Sequence, residues 1–330
     1  MLHKNLSTMK KRNGLAVLAI LVFALIAGCG KSNSRQILDY EYRVGAKGLE
    51  MKFADGAPPN ELYENGDFII SYDVSNEGAN DIDNGVFSLS IEDDYMRVRD
   101  WNGYLIKASN ANQKSTSFAI LGKSRLLPDG EKSVVTVRAS TRALDEQTET
   151  HTSMILLTAC YPYKTYLAQE VCIDRDVYKT RSERKVCQVQ TIALTNQGAP
   201  VAIIKIEPLM LDSEDHRIVT PQFNIYVRNI GNGEVFNSGK IQEACSSSPL
   251  AREDINLVTV RARLSDKQLQ CTPSTFRLSN KEGLVRCNLE SGYDRTGGTF
   301  ISPLVVELEY GYSFTITRSV IIKRQNILSK

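Results

Sequence analysis

The stretch "YPYKTYLAQEVCI" (161–173) aligns without a gap with "YGYSFTITRSVII" (310–322), and both begin with a Tyr-x-Tyr motif. A second match pairs "YDVSNEG" (72–78) with "YVRNIG" (226–231), where an Asn-x-Gly turn follows an alternating run. The members of each pair lie roughly 150 residues apart, a spacing that indicates one structural unit present twice. We expect each unit to begin with a strand pair and to end with a hairpin around Tyr-x-Tyr.

Apolar and polar residues alternate along much of the chain, which is the pattern of β-strands with one buried face. In "FIISYDV" (68–74) the apolar face holds Phe68, Ile70, Tyr72 and Val74. Turns rich in Gly, Asn, Asp and Pro separate such segments. The predicted strands are residues 49–53, 68–74, 86–91, 133–139, 202–206, 223–227, 256–264 and 303–310.

This pattern predicts an all-β fold class, with two tandem immunoglobulin-like antiparallel β-sandwich domains after a signal peptide. One larger β-sandwich or barrel is the alternative. The predicted boundaries are a signal peptide at 1–28, a lipid-anchored tether at 29–36, domain 1 at 37–175, a linker at 176–187, domain 2 at 188–326 and a tail at 327–330.

The N-terminus has the layout of a secretory signal. Three basic residues (10–12) precede an apolar run at 15–27, which is too short to span a bilayer. The run ends in Ile-Ala-Gly-Cys at 26–29, which resembles a lipoprotein signal box and implies that Cys29 becomes the lipidated first residue. An ordinary signal with an incidental cysteine is the alternative, and either Met1 or Met9 fits as the start.

The charge of the chain argues against nucleic acid as a partner. The formal net charge is +2, from 40 Lys and Arg against 38 Asp and Glu. Removal of residues 1–28 takes away four of the basic residues and none of the acidic ones, which leaves 36 against 38. The mature chain is therefore close to neutral and lacks the basic surplus that phosphate backbones attract.

Six cysteines follow Cys29, an even count that favours disulfides in an exported chain. They are Cys160, Cys172, Cys187, Cys245, Cys271 and Cys287, and no CxxC pair occurs among them. A hairpin turning at 164–168 would place Cys160 opposite Cys172, and a second hairpin would join Cys271 to Cys287. The remaining pair, Cys187 with Cys245, would then tie the linker to domain 2.

Several segments have only part of a functional motif. "SFAILGKS" (117–124) ends like a phosphate-binding loop, but it lacks the first glycine and is followed by a turn signal, so a strand and turn are predicted. Asp81 and Asp83 in "NDIDNG" suggest a weak calcium turn site or a solvated loop. His151 and His216 have no metal-ligand spacing around them. We therefore predict no catalytic residues, no metal site and no cofactor.

Aromatic residues are the remaining candidates for a binding surface. Trp101, Tyr95, Tyr104, Tyr161 and Tyr163 either form an exposed surface for a glycan or protein, or cap the core of a β-sandwich. The sequence leaves both possibilities open.

Four segments together resemble uncharacterised archaeal surface lipoproteins with repeated immunoglobulin-like modules, similar to the CARDB type. The segments are "FADGAPPNELYENGDFIISYDVSNEGANDI" (53–82), "FAILGKSRLLPDGE" (118–131), "CYPYKTYLAQEVCI" (160–173) and "QGAPVAIIKIE" (197–207). The resemblance implies extracytoplasmic exposure and a structural or adhesive role, and it supplies no catalytic residues.

The sequence therefore predicts a non-enzymatic, lipid-anchored cell-surface protein with a structural, adhesive or assembly role. Its expected partners are the membrane, through the lipid on Cys29, and other envelope or surface proteins. An extracytoplasmic module that binds a glycan, peptide or metal for a transporter or enzyme is the alternative. A hydrolase assembled from distant residues is a third possibility, because fold alone does not decide function.

Overall fold

Strands make up most of the fold. The computed structural model describes residues 41–107, 112–178, 185–214, 216–246 and 249–325, which belong to one compact unit beginning at Glu41. The strands in these ranges are β1 (Leu49–Phe53), β2 (Glu61–Tyr63), β3 (Asp67–Asn76), β4 (Ile82–Ser90), β5 (Met96–Asn102), β6 (Ser115–Ile120), β7 (Lys132–Thr141), β8 (Thr150–Ile173), β9 (Ile192–Ala193), β10 (Val201–Asp212), β11 (Ile218–Asn229), β12 (Glu234–Phe236), β13 (Leu257–Leu264), β14 (Lys267–Gln268), β15 (Gln270–Thr272), β16 (Thr275–Arg277), β17 (Glu282–Asn288), β18 (Tyr293–Asp294) and β19 (Phe300–Lys323).

Among the described residues, helical structure is confined to a short insertion in the second half of the chain. It consists of α1 (Ile241–Ala244) and a 3-10 turn (Arg252–Asp254). Within the described ranges, no helix has the length and apolar character needed to cross a membrane.

The all-β fold class predicted from the sequence is confirmed. Each of the eight predicted strands overlaps an observed strand, and the pairing is antiparallel apart from the parallel contact of β2 with β19. Along β3, burial alternates between Phe68, Ile70, Tyr72 and Val74 and their exposed or half-exposed neighbours, as the hydrophobic pattern indicates.

The described strands form three sheets. One has the order β1-β3-β7-β5, and another has the order β15-β17-β11-β10-β9 with β18 against β11. The largest has the order β14-β13-β19-β8-β4-β6, with β12, β16 and β2 paired at its margins. A shared hydrophobic cluster contains Tyr72 of β3, Leu157 of β8 and Phe223 of β11, so all three sheets contribute to one core.

The predicted Tyr-x-Tyr hairpins are wrong, because each motif lies inside an uninterrupted strand. β8 and β19 pair with each other along all 24 residues, with Pro162 opposite Gly311 at the centre. Buried residues alternate through the expected turn, including Tyr163, Thr165 and Leu167, and a reversal there would expose this face. The Tyr-x-Tyr strand of the first repeat, β8, therefore pairs with that of the second repeat, β19.

The two predicted halves share the largest sheet, since β4, β6 and β8 come from the first half and β13, β14 and β19 from the second. The domain boundaries at 37–175 and 188–326 stay predictions. The signal peptide, Cys29 and the tether lie outside the described residues, as do residues 179–184 of the linker and the tail at 327–330.

Candidate functional site

The centre of the β8–β19 pair carries four buried tyrosines, two from each Tyr-x-Tyr motif. Tyr161 lies opposite Tyr312, and Tyr163 lies opposite Tyr310. Their ring centroids are 5.6 to 6.4 Å apart, in tilted or edge-on arrangements. The two copies of the sequence repeat are thus in direct contact at this point.

In the first half, Tyr163 holds the Asn-x-Gly turn. Its hydroxyl donates to Oδ1 of Asn76 at 3.3 Å and accepts the Asn80 N–H at 3.4 Å. Asn76 also accepts the Gly78 N–H at 3.2 Å and donates to the Asn80 carbonyl at 2.9 Å. A Cβ at residue 78 would collide with the Tyr163 hydroxyl, so the turn requires glycine there.

The second half repeats this arrangement atom for atom. Tyr312 donates to Oδ1 of Asn229 at 3.5 Å and accepts the Gly233 N–H at 2.7 Å. Asn229 accepts the Gly231 N–H at 3.1 Å and donates to the Gly233 carbonyl at 2.9 Å. The Asn-x-Gly and Tyr-x-Tyr matches in the sequence are therefore the two parts of one contact.

The other two tyrosines hold β1 in the first half and β10 in the second. The Tyr161 hydroxyl accepts the Leu49 N–H at 3.1 Å, and the Tyr310 hydroxyl accepts the Val201 N–H at 3.3 Å. Burial raises the pKa of Tyr161 and Tyr310 well above the ordinary tyrosine value. Because these hydroxyls satisfy backbone groups inside the core, Tyr161 and Tyr163 cap the core and do not form a binding surface.

The remaining aromatic candidates have separate environments. Trp101 is 1% exposed, and its indole N–H donates to the Gln113 carbonyl at 2.8 Å. Tyr95 stacks on His151 with ring centroids 3.8 Å apart. Tyr104 is 89% exposed. Because Trp101 is buried, it does not contribute to an exposed aromatic surface.

All six cysteines after Cys29 form three disulfides. Cys271 is bonded to Cys287 across β15 and β17, as predicted. The predicted Cys160–Cys172 and Cys187–Cys245 pairs are wrong, since Cys160 is bonded to Cys245 and Cys172 to Cys187. Cys160 and Cys172 lie on one continuous strand, which separates them by about 40 Å. Three disulfides indicate an oxidising, extracytoplasmic environment.

The Cys160–Cys245 disulfide joins the two halves of the chain. Cys245 follows α1 in the second half, and Cys160 lies on β8 in the first. Val86, Cys160, Phe236 and Cys245 form a small buried cluster, which is distinct from the main core. The insertion around α1 is thereby fastened over the β4 and β8 strands.

Both histidines in the described part of the chain lie beside carboxylates. His151 Nε2 is 2.7 Å from Glu92, and this hydrogen bond is the main cause that lowers the pKa of Glu92. His216 Nδ1 is 2.5 Å from Asp212, whose side chain is only 9% exposed and also faces Arg295 at 3.5 Å. Among the described residues, no group of three or more His, Cys, Asp and Glu is placed to hold a metal ion.

The partial motifs also have structural roles. The Asp81 carboxylate accepts the Gly122 N–H at 2.7 Å, and the Lys107 ammonium lies on the Asp83 carbonyl oxygen. "SFAILGKS" is β6 followed by a turn, as predicted, so Lys123 does not follow the strand into a helix N-terminus. The segment at 117–124 is therefore not a phosphate-binding loop.

Two adjoining grooves lie along β3, with volumes of about 470 and 510 Å³, and both are lined by residues 67–69. Tyr63 and Ile69, each at least half exposed, line the first groove. Arg99 and the ion pair of Arg138 with Asp100, 2.6 Å apart, line the second. An apolar wall that continues into a charged end can hold an extended polar ligand.

Comparisons with known proteins identify no relative. No family model and no curated protein matches the chain. The secreted serine protease VesC from Vibrio cholerae matches at 11% identity, with 81% of this chain and 49% of that chain covered and a TM-score of 0.21. A DUF4466 family protein from Parabacteroides merdae matches at 9% identity, with 80% and 99% covered and a TM-score of 0.18. The chain spans about half the length of the protease, and TM-scores this low assign neither fold nor activity.

Proposed function

We propose that this protein is a non-enzymatic, lipid-anchored cell-surface protein whose two immunoglobulin-like units serve a structural, adhesive or assembly role. The observation that carries the proposal is the cysteine pairing. Six of the seven cysteines are bonded to one another, which leaves Cys29 without a cysteine partner in the chain. A lone cysteine at the end of a secretory signal is best explained as the lipidated residue.

The form of the body supports a structural role. The Tyr–Asn contacts occur once in each half, and the Cys160–Cys245 disulfide fastens one half to the other. The carboxylates of Glu92 and Asp212 are paired with histidines, and the hydroxyls of the four Tyr-x-Tyr tyrosines accept hydrogen bonds from backbone N–H groups. A rigid body of this kind suits an envelope scaffold or adhesive module.

The test is replacement of the proposed lipidated residue. Cys29→Ser should abolish incorporation of an alkyne-tagged fatty acid and move the protein from the floating membrane fraction to the soluble fraction, or leave its signal uncleaved. Ser32→Ala, three residues along in the predicted tether, is the matched control and should behave as the unmodified chain. Unchanged processing and membrane retention in Cys29→Ser would refute the lipid anchor.

An extracytoplasmic ligand-binding module is the second candidate, and the grooves along β3 favour it. Ile69→Glu should weaken binding of solubilised envelope polysaccharide if the grooves hold a glycan. Val134→Glu is the matched control, because Val134 has similar exposure on the same sheet and lines neither groove. Equal binding by both variants and the unmodified chain would remove this candidate.

A further inference from the structure

The loop between β6 and β7 displays an apolar side chain that the fold does not need. Leu126 is 96% exposed, the most exposed large apolar residue in the described chain. The Ser124 N–H donates to the Leu127 carbonyl at 2.9 Å, and the Leu127 N–H donates to the Ser124 hydroxyl at 3.1 Å. The backbone is thus closed into a defined turn that holds Leu126 outward.

The second half of the chain shows that this loop is an addition. Asn76 donates its N–H to the Glu131 carbonyl before β7, and Asn229 donates to the Lys281 carbonyl before β17 in the same way. The approach to β17 is a two-residue turn at Asn280 and Lys281, both with positive φ. In the second half, the corresponding hydrogen bond therefore forms after a two-residue turn, without a counterpart of the projecting segment at 121–130.

Other exposed apolar residues surround the loop. Leu121 and Val134 are 53% and 52% exposed, and Tyr104 is 89% exposed. Leu121 is joined to Glu131 by the backbone hydrogen bond of Glu131 N–H to the Leu121 carbonyl. Gly103, beside Tyr104, packs against the backbone of Val134. We call Tyr104, Leu121, Leu126 and Val134 the apolar tip.

The apolar tip lies on the side where the described chain begins. The Lys123 ammonium is 4.0 Å from the position that a Cβ on Gly45 would take, and Gly45 is four residues after Glu41. The Lys123 N–H donates to the Gly78 carbonyl, which places this loop against the Asn-x-Gly turn. A tether that reaches Glu41 from a membrane would bring this side of the body closest to the bilayer.

The charges around the tip are nearly balanced. Residues 121–134 hold three basic side chains, at 123, 125 and 132, and two acidic ones, at 129 and 131. The Glu131 carboxylate also accepts the Leu121 N–H at 2.7 Å. With so little net charge, contact with a bilayer would be made by apolar side chains and would depend weakly on salt.

We propose that the apolar tip inserts into the interfacial region of the bilayer and orients the body on the membrane. This inference rests on the proposed lipid anchor at Cys29. Tyr104 suits the headgroup level, because a tyrosine ring combines an apolar body with a polar end, and Leu126 would lie deeper. The lipid anchor would attach the protein to the membrane, and the apolar tip would determine which side of the body contacts the bilayer.

The test uses the full processed chain, purified from membranes and reconstituted into vesicles of phosphatidylcholine with brominated acyl chains. Leu126→Trp and Tyr104→Trp add a reporter at the tip, and buried Trp101 is present in every sample. Ile301→Trp is the matched control at an exposed site. Ile301 pairs with Cys172, which lies about 30 Å along β8 from Tyr163. Tyr163 bonds to the Asn-x-Gly turn against which the β6–β7 loop lies, so Ile301 is far from that turn.

Bromine should quench the added fluorescence of Leu126→Trp several-fold more than that of Ile301→Trp, with Tyr104→Trp between them, at low and high salt alike. Protein that floats with the vesicles but shows equal quenching at 126 and 301 would overturn the proposal and leave the anchor intact. Protein that does not float would refute the anchor itself. A photo-crosslinker at 126 that joins another protein in native membranes in place of lipid would also overturn the bilayer assignment.

Discussion

The Tyr163 hydroxyl lies 3.3 Å from Oδ1 of Asn76, and the second half of the chain repeats this contact with Tyr312 and Asn229. In both halves the tyrosine comes from a central strand of the largest sheet, and the asparagine ends a strand of a facing sheet. The same kind of hydrogen-bonded contact therefore joins two sheets in each half of the chain.

Removal of either tyrosine hydroxyl should destabilise the fold. Tyr163→Phe and Tyr312→Phe each leave a backbone N–H and an asparagine oxygen without the hydroxyl, which should lower the free energy of unfolding by about 1–3 kcal/mol. Urea denaturation followed by far-ultraviolet circular dichroism measures the loss. Tyr104→Phe, on an exposed ring, is the control, and equal stability of all three variants would contradict a bracing role for these hydroxyls.

The buried tyrosines also predict a loss of stability in alkali. Burial raises the pKa of Tyr312 to about 12 and raises those of Tyr161 and Tyr310 well above the ordinary tyrosine value, so the folded state favours the neutral hydroxyls. Unfolded tyrosines ionise near pH 10, so the free energy of unfolding should be unaffected below about pH 10 and fall progressively as the pH rises towards the folded pKa values. The tyrosinate absorbance of the buried tyrosines should appear together with loss of circular dichroism. Ionisation of all tyrosines near pH 10 in a chain that stays folded would contradict this prediction.

The long-range Cys160–Cys245 disulfide should contribute more to stability than the local Cys271–Cys287 disulfide. The Cys160–Cys245 bond closes a separation of 85 residues, and the Cys271–Cys287 bond closes one of 16. Restriction of the unfolded chain predicts losses of about 4.5 and about 3 kcal/mol, respectively, when each pair is replaced by alanine. Urea denaturation of the two double variants compares them. A larger loss for the shorter loop would show that packing around the bonds outweighs chain entropy.

Alternation was sufficient to predict most strands, because each has one buried face. The same pattern does not determine where a strand ends when alternation continues through a possible turn. Around Tyr163 the chain offers no Gly or Asn at 164–168, and the strand continues to Ile173. Its partner is β19, more than a hundred residues away, which local sequence patterns do not reveal.

The disulfide errors follow directly from that missed strand. Once Cys160 and Cys172 are on one extended segment, their neighbours are set by tertiary packing, which brings α1 to Cys160 and the linker end to Cys172. The Cys271–Cys287 pair was predictable because these two cysteines lie on either side of a local hairpin turn. The sequence revealed part of the tyrosine contacts, since the Asn-x-Gly and Tyr-x-Tyr motifs repeat with nearly the same period. That the two motifs touch could not be predicted, because the contact depends on how one sheet packs against another.

Acid should weaken the fold through Asp212. Hydrogen bonding to His216, with further contributions from Tyr178 and Arg295, lowers the pKa of this carboxyl below its ordinary value. A lowered folded-state pKa stabilises the protein above the unfolded pKa of about 3.8, and this contribution is lost as the pH falls through the folded pKa. Asp212→Asn should therefore lower stability near neutral pH and flatten its decline in acid, as measured by urea denaturation across a pH series. Asp73→Asn, at an exposed position on β3, is the control, and the same acid profile in Asp212→Asn as in the unmodified chain would exclude Asp212 as a contributor.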